Sequence, residues 1–420
     1  TIVCKQGNYT FSTTVDWSSY TNVTLKVEAG VDFAVATGVT VTAGMKIEAG
    51  SYKWISLTGT GAISGLVYVN PLWFGVLQDW NGTTGTDNAT ALAAAFNAVA
   101  AGGKLEFPPV INKGISYSSN VAFDPHLAIL EGNHNVLKYT GNGTAMTIAG
   151  DAQVIRNLTL IGNTTPGDIG FYHPNANTAV IENVQVFGGF TTAWKMSGPN
   201  HGVLIHCGVD YNQSVTANDI LTVATWGGNV TTGFWLFSLG GQTPEGLTFI
   251  DCMVTNKTKT GTGWDVDAGG NITIMNSVFQ YLTTGINIAS GARVALINPW
   301  FESGTVDTEI VDANEATWNT SGLGLRIHNA TLFNKNFGSG NSLASYGTSA
   351  GNPLLYFYDD NATRATGISI RSDSKNGAAI YGVQTAPSGS IVAGEKWAGV
   401  QGKATGTVGV GVRGQGAESS

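Results

Sequence analysis

The chain has 420 residues, of which 57 are glycine and only 11% are charged, and its formal net charge is −8. This composition is typical of a long β-rich chain with many tight turns and argues against a helical enzyme. Because no cluster of Lys or Arg occurs and no apolar run approaches the ~20 residues that cross a bilayer, we expect no nucleic-acid partner and no membrane span.

Residues 1–70 are predicted to form a β-rich N-terminal leader. Short strand-like segments in it end in glycine turns, as in Leu25-Lys-Val-Glu-Ala-Gly and Val39-Thr-Val-Thr-Ala-Gly. These segments indicate short solenoid coils. The chain starts at Thr1 with neither an initiator methionine nor a signal-peptide pattern, so we expect a fragment or a processed product.

One short helix is predicted over residues 88–101, with Asp87 or Asn88 as its N-cap and Gly102-Gly103 as its stop. Its apolar residues recur at helical spacing on one face. They are Leu92, Phe96 and Val99. We expect this helix to cap the open end of the β-helix that follows and to hide its edge backbone.

Apolar runs that end in Asn or Cys recur along the chain after this helix. Successive end positions lie 26, 24, 45, 24 and 22 residues apart, and four of these spacings match one coil of a solenoid. We therefore predict an all-β fold whose main domain, residues 71–330, is a right-handed parallel β-helix. The 45-residue spacing is interpreted as one coil with a long excursion over residues 210–232, which would wall a groove. The end positions are Asn157, Asn183, Cys207, Cys252, Asn276 and Asn298.

A second pattern repeats in each coil, a glycine or alanine followed by residues that alternate with the period of a β-strand. The first set is predicted to point inward: Phe171, Trp194, Phe234, Trp264 and Ile286. The residues directly after them are predicted to line one outer stripe: Tyr172, Lys195, Trp235, Asp265 and Asn287. Function is expected along this stripe.

Cys207 and Cys252 fall at the same position of adjacent predicted coils. Stacked strands lie about 4.8 Å apart, which is within the Cα range of a disulfide. Two buried free thiols in a ladder would give the same pattern, so both interpretations stay open.

Residues 331–420 lose the coil period and carry short Gly-x-Gly strings. Such strands bury little surface alone, so a β-rich tip or trimerisation region shared by several chains is one interpretation. A flexible linker is the other.

The segment Asn70-Pro-Leu-Trp-Phe-Gly-Val, the alanine-rich helix and Gly102-Gly-Lys-Leu-Glu-Phe-Pro-Pro together resemble the entry motif of the pectate-lyase-like β-helix superfamily, which phage tailspikes often carry. The tract from Val76 departs from the family's Ala-x-Gly-Asp-Gly. The resemblance covers residues 70–330 and implies a homotrimer on a virion tail or baseplate that is aimed at a cell-surface polysaccharide. A secreted protein is the alternative localisation.

Asp265 and Asp267 occupy alternate positions of one predicted strand, so they share an outer face with backbones roughly 7 Å apart. Glycosidases use two carboxylates about 5 to 9.5 Å apart, which makes this pair the candidate catalytic residues. Glu302, in a nearby coil, is a third candidate. The candidate substrate-binding residues are Tyr172, Lys195, Trp235, Asn287 and Trp300. The alternative is that strand aspartates only solvate the outside of a solenoid.

No phosphate-binding loop, dinucleotide motif or zinc-spaced His/Cys set occurs, and we expect no cofactor and no metal. His173 falls on the inward face and is expected to be a core residue. The predicted function is that of a tailspike-like protein that binds a cell-surface polysaccharide and cleaves it, as a hydrolase rather than a lyase. A non-catalytic receptor-binding or structural spike and a secreted polysaccharide lyase are the alternatives.

Overall fold

The computed structural model describes most of the chain up to residue 328. The described residues are 1–110, 112–123, 128–150, 153–162, 168–174, 177–198, 201–209, 229–302, 305–313 and the backbone of 324–328. The predicted tip, residues 331–420, and nearly all of the predicted excursion, residues 210–228, lie outside the described residues.

The leader forms three coils of three short strands each. Each strand pairs in parallel with the equivalent strand of the next coil, which gives three 3-stranded sheets. The predicted solenoid coils of the leader are therefore present. The strands are β1 (Ile2–Cys4), β2 (Gly7–Phe11), β3 (Val15–Trp17), β4 (Thr24–Val27), β5 (Val31–Val35), β6 (Thr40–Ala43), β7 (Lys46–Glu48), β8 (Ile55–Leu57) and β9 (Ala62–Ser64).

The main domain continues as a parallel β-solenoid, which confirms the predicted fold class. Its strands are β10 (Leu66–Val69), β11 (Val99–Glu106), β12 (Ile115–Tyr117), β13 (Val121–Phe123), β14 (Ile129–Tyr139), β15 (Thr144–Ile148), β16 (Val154–Ile161), β17 (Ile169–Pro174), β18 (Val180–Phe187), β19 (Thr192–Ser197), β20 (Val203–Ile205), β21 (Gly208–Val209), β22 (Thr232–Phe237), β23 (Thr248–Ile250), β24 (Met253–Thr255), β25 (Thr262–Val266), β26 (Ile272–Met275), β27 (Val278–Gln280), β28 (Leu282–Ile288), β29 (Arg293–Ile297), β30 (Trp300–Phe301), β31 (Val306–Asp312) and β32 (Gly324–His328).

These strands stack into three ribbons that run along the solenoid axis. The first ribbon contains β11, β20, β23, β26 and β29 with the first halves of β14, β16 and β18. The second contains β12, β21, β24, β27 and β30 with the second halves of the same three strands. The third is an 8-stranded sheet of β13, β15, β17, β19, β22, β25, β28 and β31.

A left-handed residue turns each coil from the first ribbon into the second. Asn tolerates this conformation better than most residues because its short side chain bonds locally. Asn183 Nδ2 donates to Asn157 Oδ1 at 2.9 Å, and Asn298 Nδ2 donates to Asn276 Oδ1 at 3.1 Å. We call this row the corner column: Asn157, Asn183, His206, Asp251, Asn276 and Asn298, with φ between 50° and 56°.

The prediction that Cys207 and Cys252 close their coils at the Asn position was wrong by one residue. His206 and Asp251 occupy the corner column there, and their side chains lie 3.2 Å apart. The two cysteines follow them and point into the core, each at a buried position in adjacent coils. Polar residues with φ above 50° suit the corner, whereas cysteine suits the apolar interior.

The two thiols are stacked neighbours, as predicted, but they are free. Each donates to a backbone carbonyl instead: Cys207 Sγ to Ile181 O at 3.3 Å, and Cys252 Sγ to Leu204 O at 3.5 Å. Burial raises the pKa of Cys252 to about 12. The disulfide alternative is therefore not realised in this structure.

The predicted inward column is confirmed and forms an aromatic stack in the core. Phe171, Trp194, Phe234 and Trp264 pair in register on β17, β19, β22 and β25, and all four are fully buried. Ring centroids lie 4.4, 5.8 and 4.6 Å apart along this series. The same register fixes which residues face outward.

The helix α1 spans Ala89–Ala98 and is shorter than the predicted 88–101, because the chain becomes extended at Val99 and opens β11. Leu92 and Phe96 are buried as predicted. Asp87 Oδ1 accepts from Ala89 N at 3.0 Å at the start of the helix. The helix contacts β9 of the leader and β10, β11 and β13 of the main solenoid. Among the described residues, no helix has the length and apolar character to cross a bilayer.

Candidate functional site

The five residues of the predicted outer stripe form one column on the third ribbon. Strand register pairs each of them with the next across β17, β19, β22, β25 and β28. All five side chains are half-buried, and adjacent strands lie about 4.8 Å apart. We call this set the outer column: Tyr172, Lys195, Trp235, Asp265 and Asn287.

Nearer the N-terminal end of the outer column, three aromatic rings surround the ammonium group of Lys195. Lys195 Nζ lies 4.7 Å from the ring centroid of Trp235, 4.9 Å from that of Phe237 and 5.6 Å from that of Tyr172. The rings of Trp235 and Phe237 stack with centroids 4.8 Å apart. Burial lowers the pKa of Lys195. Among the described residues, Lys195 takes part in none of the ion pairs.

Nearer the C-terminal end of the outer column, Asp265 and the adjacent Asp267 lie in different environments. Asp265 is half-buried on β25, and its Oδ1 accepts from Asn287 Nδ2 at 2.8 Å. Asp267 is exposed just after the strand, and its Oδ2 accepts from Trp235 Nε1 at 2.6 Å. Each carboxylate is thus held in place by another member of the column.

The environment of Asp265 makes its carboxyl group a weaker acid than usual. Burial raises the pKa of Asp265, the hydrogen bond from Asn287 opposes this rise, and the charge of Asp267 adds to it. A carboxyl group with a raised pKa beside a second carboxyl group matches the requirement for an acid and a base in one site.

Asp265 should make the stability of the fold depend on pH. Because its pKa is raised in the folded chain, the folded state holds the proton more tightly, and stability falls as the pH rises from the unfolded pKa through the raised value. Asp265→Asn removes this titration and keeps an oxygen that accepts from Asn287. We expect the melting temperature of the variant to exceed that of the wild type at about pH 7, and the difference to shrink at about pH 3.

Thermal unfolding across this pH range measures the effect, with Glu182→Gln as the control because Glu182 is an exposed carboxylate on the first ribbon. An Asp265→Asn variant that is less stable than the wild type near neutral pH would show that the carboxylate stabilises the fold.

The structure does not bring Glu302 and Trp300 to the outer column. Trp300 pairs with Val278 on the second ribbon, and Glu302 N donates to Phe279 O in the same ribbon. A turn at Tyr281, with φ of 52°, separates this ribbon from the third. Glu302 and Trp300 therefore line a different face, although the coil that contains them is near the coil of Asp265.

Sequence reasoning missed two features of the site. Phe237 lies two residues after Trp235 and hence on the same face, a signal that the alternation already contains. A column of threonines lies three residues before the outer column along each strand, and each threonine directly precedes the glycine or alanine of the repeat. They are Thr192, Thr232, Thr262 and Thr284, which pair in register from strand to strand.

His173 is buried and points inward, as predicted. It therefore lies on the opposite side of the strand from Tyr172 and does not belong to the outer column. This placement leaves Lys195 as the basic side chain of the column itself.

No protein-family model and no curated protein matches the chain. Among solved structures, it is similar to ORF18 of Geobacillus virus E2, with a TM-score of 0.34 and 14% identity, over 64% of this chain and 62% of that chain. It is also similar to the catalytic domain of a GH87 alpha-1,3-glucanase in complex with nigerose, with a TM-score of 0.30 and 11% identity, over 78% of this chain and 63% of that chain. The chain thus spans less than two thirds of either structure, and both similarities are of the fold alone.

Proposed function

We propose that this protein binds a polysaccharide along the outer column and cleaves it with Asp265 and Asp267. The observation that carries the proposal is the half-buried Asp265 carboxyl with its raised pKa, next to the exposed Asp267 and directly below Trp235. Aromatic faces pack on the apolar faces of sugar rings.

In the proposed mechanism, Asp265 donates a proton to the glycosidic oxygen, and Asp267 is the second carboxyl group of the site. Asp267 then either takes a proton from the attacking water or attacks the anomeric carbon itself. Trp235 positions Asp267, and Asn287 positions Asp265, through the two hydrogen bonds described above. Cleavage therefore requires that the scissile bond lies between the two carboxyl groups, so that Asp265 faces the leaving oxygen and Asp267 acts on the opposite face of the sugar.

A second candidate function is binding without cleavage. It is favoured by the same hydrogen bonds, because both carboxylates already have partners within the chain, as structural carboxylates do. In this alternative, the outer column is the receptor-binding surface of a spike or adhesin.

The proposal extends to the role of a phage tailspike that acts on a host-cell surface as part of a virion tail. Its support is the sequence resemblance of residues 70–330 together with the solenoid fold. Fold alone does not fix this role, so it rests on the outcome of the glycan experiment.

A panel of capsular and O-antigen polysaccharides tests the function. The protein is incubated with each, and binding, released reducing ends and the absorbance of unsaturated uronides are measured. Released reducing ends without new absorbance support a hydrolase, new absorbance indicates a lyase, and binding without release indicates the second candidate. If the protein neither binds nor cleaves any polysaccharide of the panel, the proposal is contradicted.

A further inference from the structure

The ammonium group of Lys195 lies on the aromatic surface against which a sugar ring would pack. Its nitrogen is 4.7 Å from the ring centroid of Trp235 and 4.9 Å from that of Phe237. Lys195 is also the only Lys or Arg in the eight strands that the structure describes on the third ribbon. A sugar that packs against these two rings therefore lies beside this one cation.

The ammonium group of Lys195 has hydrogen-bond donors that the described part of the chain does not use. An ammonium carries three N–H donors. Within the described residues, Lys195 makes neither an ion pair nor a hydrogen bond, and its nearest partners are the three aromatic rings. Aromatic faces attract a cation, but they leave its N–H groups to water or to a ligand.

A sugar that binds over this surface takes water away from the ammonium group. Burial already lowers the pKa of Lys195, so its charge has lost part of its hydration. Loss of the remaining water costs free energy unless an acceptor replaces it. An anionic oxygen replaces it better than a hydroxyl does, because a charge-assisted hydrogen bond is stronger than a neutral one. A sugar with an anionic group is therefore favoured over a neutral sugar at this position.

The positive and negative charges of the site lie at different heights along the solenoid axis. Lys195 and Asp265 are two strands apart, which is about 10 Å, with Trp235 between them. Neither Asp265 nor Asp267 forms an ion pair with Lys195. An anionic group is repelled by carboxylates and attracted by the ammonium. It should therefore bind towards the N-terminal end of the outer column, away from the bond that is cleaved.

We infer that the polysaccharide carries a carboxylate on the sugar unit that packs against Trp235 and Phe237, and that Lys195 binds this carboxylate. The inference rests on the proposed function, because it requires a polysaccharide along the outer column. One ammonium group matches the single negative charge of a carboxylate. Phosphate groups are more often bound by helix N-termini and by Arg, and neither occurs in the described strands of the third ribbon.

Chemical reduction of the polysaccharide tests the inference on the unmodified protein. The carboxyl groups of each uronic-acid-containing polysaccharide in the panel are reduced to primary alcohols, which removes the charge and keeps the glycosidic linkages. We expect the wild-type full chain to bind the acidic form about 10- to 100-fold more tightly than the reduced form. This preference should weaken as the ionic strength rises. Isothermal titration calorimetry measures the Kd for both forms.

Substitutions of Lys195 assign the preference to this side chain. Lys195→Met removes the charge and keeps an unbranched side chain, so this variant should bind the acidic and reduced forms about equally. Lys195→Arg restores the charge and should retain a preference for the acidic form. Lys113→Met is the matched control, because Lys113 is exposed, lies outside the third ribbon and carries the same single charge. It should keep the wild-type preference.

The outcomes separate this inference from the proposed function. Equal binding of both forms by the wild type would overturn the inference and leave the proposed function intact. An unchanged preference in Lys195→Met, or an equal loss in Lys113→Met, would do the same. Tight binding of the acidic form without cleavage would support the inference and contradict the proposed cleavage, whereas no binding of any polysaccharide would contradict both. Binding restricted to phosphate-bearing polysaccharides would also overturn the inference.

Discussion

Asp265→Asn is expected to lower the rate of polysaccharide cleavage by about 10²- to 10⁴-fold, which is the usual contribution of a positioned acid. The amide keeps the size of the carboxyl group and can still accept from Asn287 Nδ2 through its oxygen. It cannot donate the proton that the glycosidic oxygen needs. Binding of the polysaccharide should therefore change little, and the loss should lie in kcat rather than in KM.

The companion variants separate the two carboxyl groups. Asp267→Asn should also abolish most of the cleavage, because an amide can neither take a proton from the attacking water nor attack the anomeric carbon. Glu182→Gln, on the first ribbon, should leave the rate unchanged. The measurement is the initial rate of reducing-end release on the polysaccharide that the panel identifies. Full activity of Asp265→Asn would remove this residue from the mechanism and assign cleavage to other residues.

Trp264→Ala is expected to lower the free energy of unfolding by about 3–5 kcal/mol, which is typical of the removal of a buried Trp. Trp264 is fully buried at the end of the aromatic stack, where Phe279 packs against it. Its ring centroid lies 4.6 Å from that of Phe234 and 4.7 Å from that of Phe279. The cavity would sit between two coils, and neighbouring coils are too closely packed to fill it.

Two further variants test the cause of this effect. Trp264→Phe should cost much less, since it keeps a ring in the stack and removes an indole N–H that has no hydrogen-bond partner in the described structure. Trp300→Ala serves as the exposed control. Urea denaturation of the four proteins measures the order. A loss in Trp264→Ala no greater than that in Trp300→Ala would contradict the assigned core.

The fold could be predicted from the sequence because each coil repeats the same physical requirements. Phe171, Trp194, Phe234 and Trp264 recur at one position because all of them fill the same layer of the interior. Regular repetition also fixes the register, and hence the residues that face outward. The short leader coils were predicted from glycine turns for the same reason.

The errors came from positions where the repeat changes its residue type. Cys207 and Cys252 were assigned to the corner column because His206 and Asp251 replace the expected Asn there. The helix was predicted too long because helical periodicity continued to Val99, although the first strand pair of the solenoid requires an extended backbone at that residue.

The site was only partly predictable. Alternation within a strand placed Tyr172, Lys195 and Asp265 in one column, but it carries no information on which ribbon a later coil segment joins. Trp300 and Glu302 were therefore grouped with Asp265, although a left-handed turn at Tyr281 leads to a different face. The hydrogen bond between Trp235 and Asp267 depends on side-chain rotamers, which a pattern of residue types does not specify.

The most direct test of the central claim is a crystal structure of the protein soaked with an oligosaccharide of the polysaccharide that it binds in the panel. The account predicts sugar density along the outer column, with one ring against Trp235 and a glycosidic oxygen within hydrogen-bond distance of Asp265. Sugar bound only on another face, such as beside Trp300 on the second ribbon, would contradict it.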